Sequence, residues 1–201
     1  LIKDESIGKS VWHNKDDIDI TWPESDLFKS LNGLEAGTIT PIFIDSSIYD
    51  YMATGSTWNN KIVTTSWKYG NIGYFSTYNA LDAYAEENAF GDSISTSAWT
   101  TEVSAKVSLM YIHDYYYAYA VGGAPGSYSN AKTAWIFLGS NEWPMSPYGM
   151  DGREFWVCYI TSGGSVWTKS LTNDGDVRPV FFIQASTKII KGTGLSTDPF
   201  I

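Results

Sequence analysis

The sequence predicts an α+β domain, with short helices early and a twisted, mostly antiparallel sheet in the C-terminal half. Three observations carry this. Apolar residues recur at helical spacing only in short stretches before Gly91. From about Thr101 onward they alternate with smaller or polar residues, the period of a strand with one buried face. Glycine-rich turns separate these alternating runs: Gly122-Gly123, Gly139-Ser140-Asn141, Gly163-Gly164 and Asp174-Gly175-Asp176.

The elements follow in order. Residues 1–17 read as an N-terminal extension. Trp22 to Leu31 reads as a short helix: Ser25 caps it, Leu27, Phe28 and Leu31 form one apolar stripe, and Asn32-Gly33 stops it. A second short helix is predicted from Asp45-Ser46-Ser47, carrying Ile48, Tyr51 and Met52 inward. A third runs from Thr77 to Phe90, with Ala80, Leu81, Tyr84 and Ala85 on one face and Gly91 at its end. Strands are predicted at Val103 to Leu109, Trp135 to Leu138, Phe155 to Ile160, Val166 to Thr168 and Val180 to Ile183. Tyr115 to Asn130, rich in Tyr, Gly and Ser, reads as a long surface loop, and loops of that length in a compact domain are usually functional.

Composition bounds the function. A chain of 201 residues fits one domain, and 43% hydrophobic with 16% aromatic residues is enough for a real core. With only 17% charged residues, the surface must be built largely from Ser, Thr, Asn, Gly and Tyr. The net charge of −9 argues against nucleic acid and against an anionic membrane surface, both of which need dense Lys and Arg. No apolar run reaches the roughly 18–20 residues of a spanning helix. The chain starts at Leu1 rather than Met, so a removed signal peptide or anchor is expected upstream. Cys158 is the only cysteine, which excludes an internal disulfide, CxxC redox chemistry and a cysteine-rich zinc site.

Several segments together resemble a known group. Ile18-Asp19-Ile20-Thr21-Trp22-Pro23-Glu24-Ser25-Asp26-Leu27 with Leu31-Asn32 resembles the opening of a large group of gut-Firmicute surface proteins. Lys106 to Tyr115, Asn141 to Pro147 and Gly175 to Phe181 resemble the group's middle signatures, and Lys188 to Gly194 with Asp198 to Ile201 its ending. The resemblance covers about Ile18 to Ile201, with the motifs in order. It implies a C-type-lectin-like fold in its formylglycine-generating-enzyme-like form, behind a prepilin-like or lipoprotein anchor. It further implies an extracellular or surface-anchored location, and a likeness to the variable proteins of diversity-generating retroelements. In such proteins codons near the C-terminus are rewritten, and the changed residues form a ligand-binding face. The segment between Trp143 and Arg178 lies where that region would fall.

The residues show no catalytic set. Formylglycine-type chemistry wants a cysteine pair, and the lone Cys158 reads as a small apolar residue on a strand. His13, in Trp12-His13-Asn14, reads as lying near an exposed terminus; His113 reads as a hydrogen-bonded residue at a strand end. No GxSxG elbow accompanies either histidine. Asp16-Asp17-Asp19 and Asn173-Asp174-Gly175-Asp176 match no calcium loop and read as turns. Glu86-Glu87 and Glu142 are carboxylates that nothing in the sequence pairs for glycosidase chemistry. Arg178, before Pro179, is expected to lock the preceding loop by pairing with a carboxylate. No metal and no cofactor are expected.

The aromatic residues remain. Trp22, Trp67, Trp99, Trp135 and Trp143 are assigned to the core, whereas Trp156, Trp167, Tyr148 and the cluster Tyr115, Tyr116, Tyr117 and Tyr119 are harder to bury together. Glu154 to Leu171 reads as a hairpin turning at Ser162-Gly163. A two-residue loop sets Cys158 opposite Trp167 and Trp156 opposite Lys169. One face is then Phe155, Val157, Tyr159, Val166 and Thr168, suited to a core. The other carries Glu154, Trp156, Cys158, Trp167 and Lys169, with a cation–π pair between Trp156 and Lys169. Tyr148, Met150, Asp151, Arg153 and Asn173 extend it into a ligand-binding patch for a protein or glycan on another cell or host surface. The alternatives are a pilin-like structural subunit with no dedicated ligand, and a hydrolase using surface carboxylates.

Overall fold

A computed structural model describes residues 6–15, 20–34, 42–43, 60–69, 101–118, 136–148, 156–188 and 190–191. Its elements are β1 (Gly8–Val11), a 3-10 turn (Trp22–Glu24), α1 (Asp26–Leu31), β2 (Ile42–Phe43), β3 (Ile62–Val63), β4 (Thr65–Tyr69), β5 (Thr101–Ala105), β6 (Val107–Ser108) and α2 (Ile112–Tyr117). β7 (Pro147–Tyr148), β8 (Trp156–Ile160), β9 (Val166–Ser170), β10 (Asp174–Asp176) and β11 (Val180–Ile183) follow. Among the described residues, small antiparallel sheets with few helices fit an α+β to mostly-β class.

The sheets run β10-β1-β2, β7-β8-β9, β3-β11-β6 and β4-β5. Glu142 joins the first two, bridging Ile160 of β8 in antiparallel fashion and Asp176 of β10 in parallel. Its amide donates to the Ile160 carbonyl at 2.8 Å, and the Trp143 amide donates to the Asp176 carbonyl at 3.0 Å.

α1 forms as its sequence dictates. The Ser25 hydroxyl accepts from the Phe28 amide at 3.1 Å, and Leu27, Phe28 and Leu31 are buried. Gly33 takes a φ of 66°, the left-handed conformation that glycine adopts freely after a helix. Asn32 then sews the helix end to the sheet. Its side-chain amide donates to the Phe28 and Val107 carbonyls, and its Oδ1 accepts from the Lys106 and Val107 amides. In β5 the alternation holds: Val103 and Ala105 turn inward while Glu102 and Ser104 are exposed. β11 spans Val180–Ile183 as expected. One core gathers Trp12, Trp22, Trp67, Val107, Leu109, Trp143, Val157, Leu171 and Val177; a smaller one gathers Met110, Tyr115, Ile136 and Ile160.

Several expectations are corrected. Within the expected extension 1–17, β1 is the middle strand of its sheet, and Ile7 and Trp12 are core residues. Its partners lie far along the chain: Trp12 donates its amide to the Leu171 carbonyl at 2.9 Å and accepts from the Leu27 amide. His13 is buried beside Asp26, at 2.9 Å, rather than exposed. Asp174–Asp176 is a strand, because its backbone is paired to β1. There the Trp143 ring lies so close to Gly175 that a Cβ would sit 2.6 Å from it. Residues 136–138 form no strand. His113 sits in α2, and so does Tyr115, which is buried rather than at the start of a surface loop. The predicted helices from Asp45 and from Thr77 to Phe90, residues 119–130 of the predicted loop, Trp99 and Trp135 lie outside the described residues.

Candidate functional site

The predicted site is the β8–β9 hairpin, and its turn decides which side chains share a face. Gly164, not Gly163, takes the positive φ, at 80°. The Gly164 amide donates to the Thr161 carbonyl, the Thr161 amide to the Ser165 carbonyl, both at 2.8 Å, and the Ser165 amide to Thr161 Oγ1 at 3.0 Å. Ser162, Gly163 and Gly164 therefore form a three-residue loop, ending in a left-handed glycine. The extra residue shifts the register by one from the expected pairing. Trp156 faces Ser170, Val157 faces Lys169, Cys158 faces Thr168 and Tyr159 faces Trp167.

That shift regroups the site, because side chains alternate along each strand and directly opposed residues share a face. Val157, Tyr159, Trp167 and Lys169 lie together on one face; Trp156, Cys158, Ile160, Val166 and Thr168 lie on the other. The expected grouping of Trp156 and Cys158 with Trp167 and Lys169 is corrected accordingly. Both faces of β8 meet a core. Val157 packs into the larger one and Ile160 into the smaller, and Cys158 is 2% exposed. Trp156 is half-buried, whereas Trp167 is 50% exposed.

Lys169 engages different rings from the one expected. Its ammonium lies 5.5 Å from the Tyr159 ring centroid and 5.8 Å from that of Trp143, and donates to the Asp174 carbonyl at 2.7 Å. Tyr159 meets Trp143 edge to face, with centroids 6.2 Å apart. The face thus grades from the fully buried Trp143 through half-buried Tyr159 to half-exposed Trp167. Asn173 is exposed in the turn that follows β9, its amide bonded to the Ser170 carbonyl. Tyr148 is paired through its backbone with Trp156. Met150, Asp151, Arg153 and Glu154 lie outside the described residues. The sequence assigns Tyr159 and Trp143 to the core; the Gly163-Gly164 pair at the turn is the signal for the longer loop.

Beside β8, where Glu142 bridges Ile160, sits a buried ionic cluster. Arg178 is 3% exposed and Glu142 1%. Arg178 Nε donates to Glu142 Oε1 at 2.8 Å, and Nη2 reaches Glu142 Oε2 at 3.1 Å, Tyr115 Oη at 2.8 Å and the Ile136 carbonyl. The Tyr115 hydroxyl donates to Glu142 Oε2. The expected pairing of Arg178 with a carboxylate is met by Glu142; what it ties together is Glu142, Tyr115 and the Ile136 carbonyl rather than the preceding residues, which form β10. Burial pushes the Glu142 carboxyl above the usual carboxylate range, against the pull of Arg178 and Tyr115. Burial, with the neighbouring Glu142, also pushes the Tyr115 phenol up. Both Glu142 oxygens are engaged within the protein, so the arrangement braces the segment that carries Trp143 toward the hairpin.

Among the described residues no group of three or more His, Cys, Asp and Glu side chains is placed to hold a metal ion. No described helix is long and apolar enough to cross a membrane. The chain matches no protein-family model, no curated protein and no solved structure.

Proposed function

We propose that this protein is a non-enzymatic recognition module of a cell surface, binding a protein or glycan ligand through the aromatic face of the β8–β9 hairpin. The observation that carries this reading is Trp167, 50% exposed on a strand directly opposite Tyr159, with Thr172 and Asn173 exposed in the turn that follows its strand. Large rigid rings supply contact area at small entropic cost, and small polar neighbours supply adaptable hydrogen bonds. Behind them, the Lys169 contacts and the Arg178 cluster hold the platform in one shape, which lowers the cost of ordering on binding. The C-type-lectin-like architecture, the extracellular location and diversification of the segment between Trp143 and Arg178 belong to the same proposal, and rest on the sequence resemblance.

The test compares wild type, Trp167→Ala and Phe182→Ala on a glycan array and a panel of extracellular proteins. Phe182 is 51% exposed on β11 and serves as the control for a generic sticky ring. Loss of a bound ligand by about tenfold or more in Trp167→Ala, with an unchanged melting temperature and normal binding by Phe182→Ala, supports the reading. Equal binding by Trp167→Ala and wild type overturns it.

A further inference from the structure

We propose that Trp143, Tyr159 and the Asp174 carbonyl form a binding site for a primary alkylammonium group, and that Lys169 fills this site from within the chain. This goes beyond the recognition reading, which rests on the exposed Trp167 ring rather than on the Lys169 ammonium. A lysine on a strand face ordinarily extends its charged head into water. Lys169 instead turns across its face to β10, where its ammonium donates to the Asp174 carbonyl at 2.7 Å. The same ammonium lies over two rings, 5.5 Å from the centroid of Tyr159 and 5.8 Å from that of Trp143. Aromatic faces attract a cation through their quadrupoles, and a carbonyl oxygen takes one of its protons; this combination is how proteins recognise alkylammonium ligands.

The site is built rather than incidental. Trp143 is fully buried, its indole Nε1 donates to the Ser10 carbonyl at 2.8 Å, and its ring lies against Gly175. Tyr159 is fixed by the β8–β9 register and by its edge-to-face contact with Trp143. The Asp174 carbonyl belongs to a strand paired with β1. The backbone pairings that place Tyr159 and Asp174 and the contacts that seat the Trp143 ring do not use the Lys169 side chain, so the site persists when that side chain is shortened to alanine. Lys169 acts as a latch between the hairpin and β10, and as the resident competitor of any amine that enters.

The experiment is rescue by n-propylammonium chloride, which replaces the three methylenes and the ammonium that Lys169→Ala deletes. Lys169→Ala is expected to melt below wild type. Added n-propylammonium is expected to restore several degrees relative to sodium chloride of equal ionic strength, while wild type and Lys169→Met do not respond. No restoration, or an equal rise in wild type, overturns the proposal. Should Lys169→Ala fail to fold, wild type can be reductively dimethylated with carbon-13 formaldehyde, which keeps the charge. The Lys169 methyl signal, assigned by its loss in Lys169→Arg, is expected upfield of the exposed lysines through the ring currents of Trp143 and Tyr159. A signal coincident with those of exposed lysines overturns the proposal.

Discussion

At the scale of single residues, Arg178 holds a buried cluster together. Its guanidinium joins Glu142, Tyr115 and the Ile136 carbonyl, groups from α2, the segment before β7 and the approach to it. Removing it leaves a carboxylate buried without its cation, and Arg178→Ala is expected to cost on the order of 2–4 kcal/mol. The cost should depend on pH. The folded-state pKa of Glu142 is raised above its ordinary 4.5, so the folded state binds the proton more tightly than the unfolded chain. Such a group contributes stability in acid and loses it as pH rises through the folded pKa. Without Arg178 its opposing pull is gone and the net upward shift is larger. Urea unfolding from about pH 4 to about pH 8 should therefore show the deficit of Arg178→Ala relative to wild type growing with pH. A deficit independent of pH would mean that the cluster acts through packing alone.

At the scale of elements, the hairpin turn separates two registers that look alike on paper. A two-residue loop turning at Ser162-Gly163 puts the positive φ on Gly163; the structure puts it on Gly164, at 80°. An added methyl at Gly163 would meet only Thr161 Oγ1, at 3.4 Å, an ordinary contact. Gly164→Ala is expected to cost about 1–2 kcal/mol through left-handed backbone strain, and Gly163→Ala to stay within about 0.5 kcal/mol of wild type. The reverse ranking in chemical denaturation would restore the two-residue loop and regroup the face. α1 shows the opposite case, since its cap, apolar stripe and stop all lie within a few residues and needed no distant partner.

At the scale of the whole molecule, β10 joins β1 to the hairpin and replaces the acidic turn expected at Asp174-Gly175-Asp176. Its backbone is committed to β1, and the Asp174 carbonyl to Lys169. Folding is therefore expected to be insensitive to excess chelator. A melting temperature that falls by more than a few degrees and recovers with Ca²⁺ would show a metal site in the acidic segments. Sequencing the locus across isolates addresses the proposed diversification. Changes clustered at outward positions between Tyr148 and Asp176, beside a reverse transcriptase, support a diversified binder; uniform drift supports a pilin-like structural subunit instead.

The sequence alone determined what short-range physics controls. The helix Asp26–Leu31, the strand Val180–Ile183, the alternation at Val103 and Ala105 and the existence of a hairpin after Trp156 were legible, because caps, stops and period-two patterns are local. The carboxylate requirement of Arg178 was legible too, since a buried guanidinium must be paired, but its identity as Glu142 was not. Tertiary structure decided the rest. β1 is a strand because β10 and β2, far along the chain, supply its hydrogen bonds. Tyr159 belongs with Trp167 and Lys169 because one extra loop residue slides β9 along β8, and with a side-chain period of two a shift of one residue brings the opposite face of the partner strand into play. Lys169 finds Trp143 rather than Trp156 because β10 brings the Asp174 carbonyl and the Trp143 ring to the same face, a proximity no local pattern encodes.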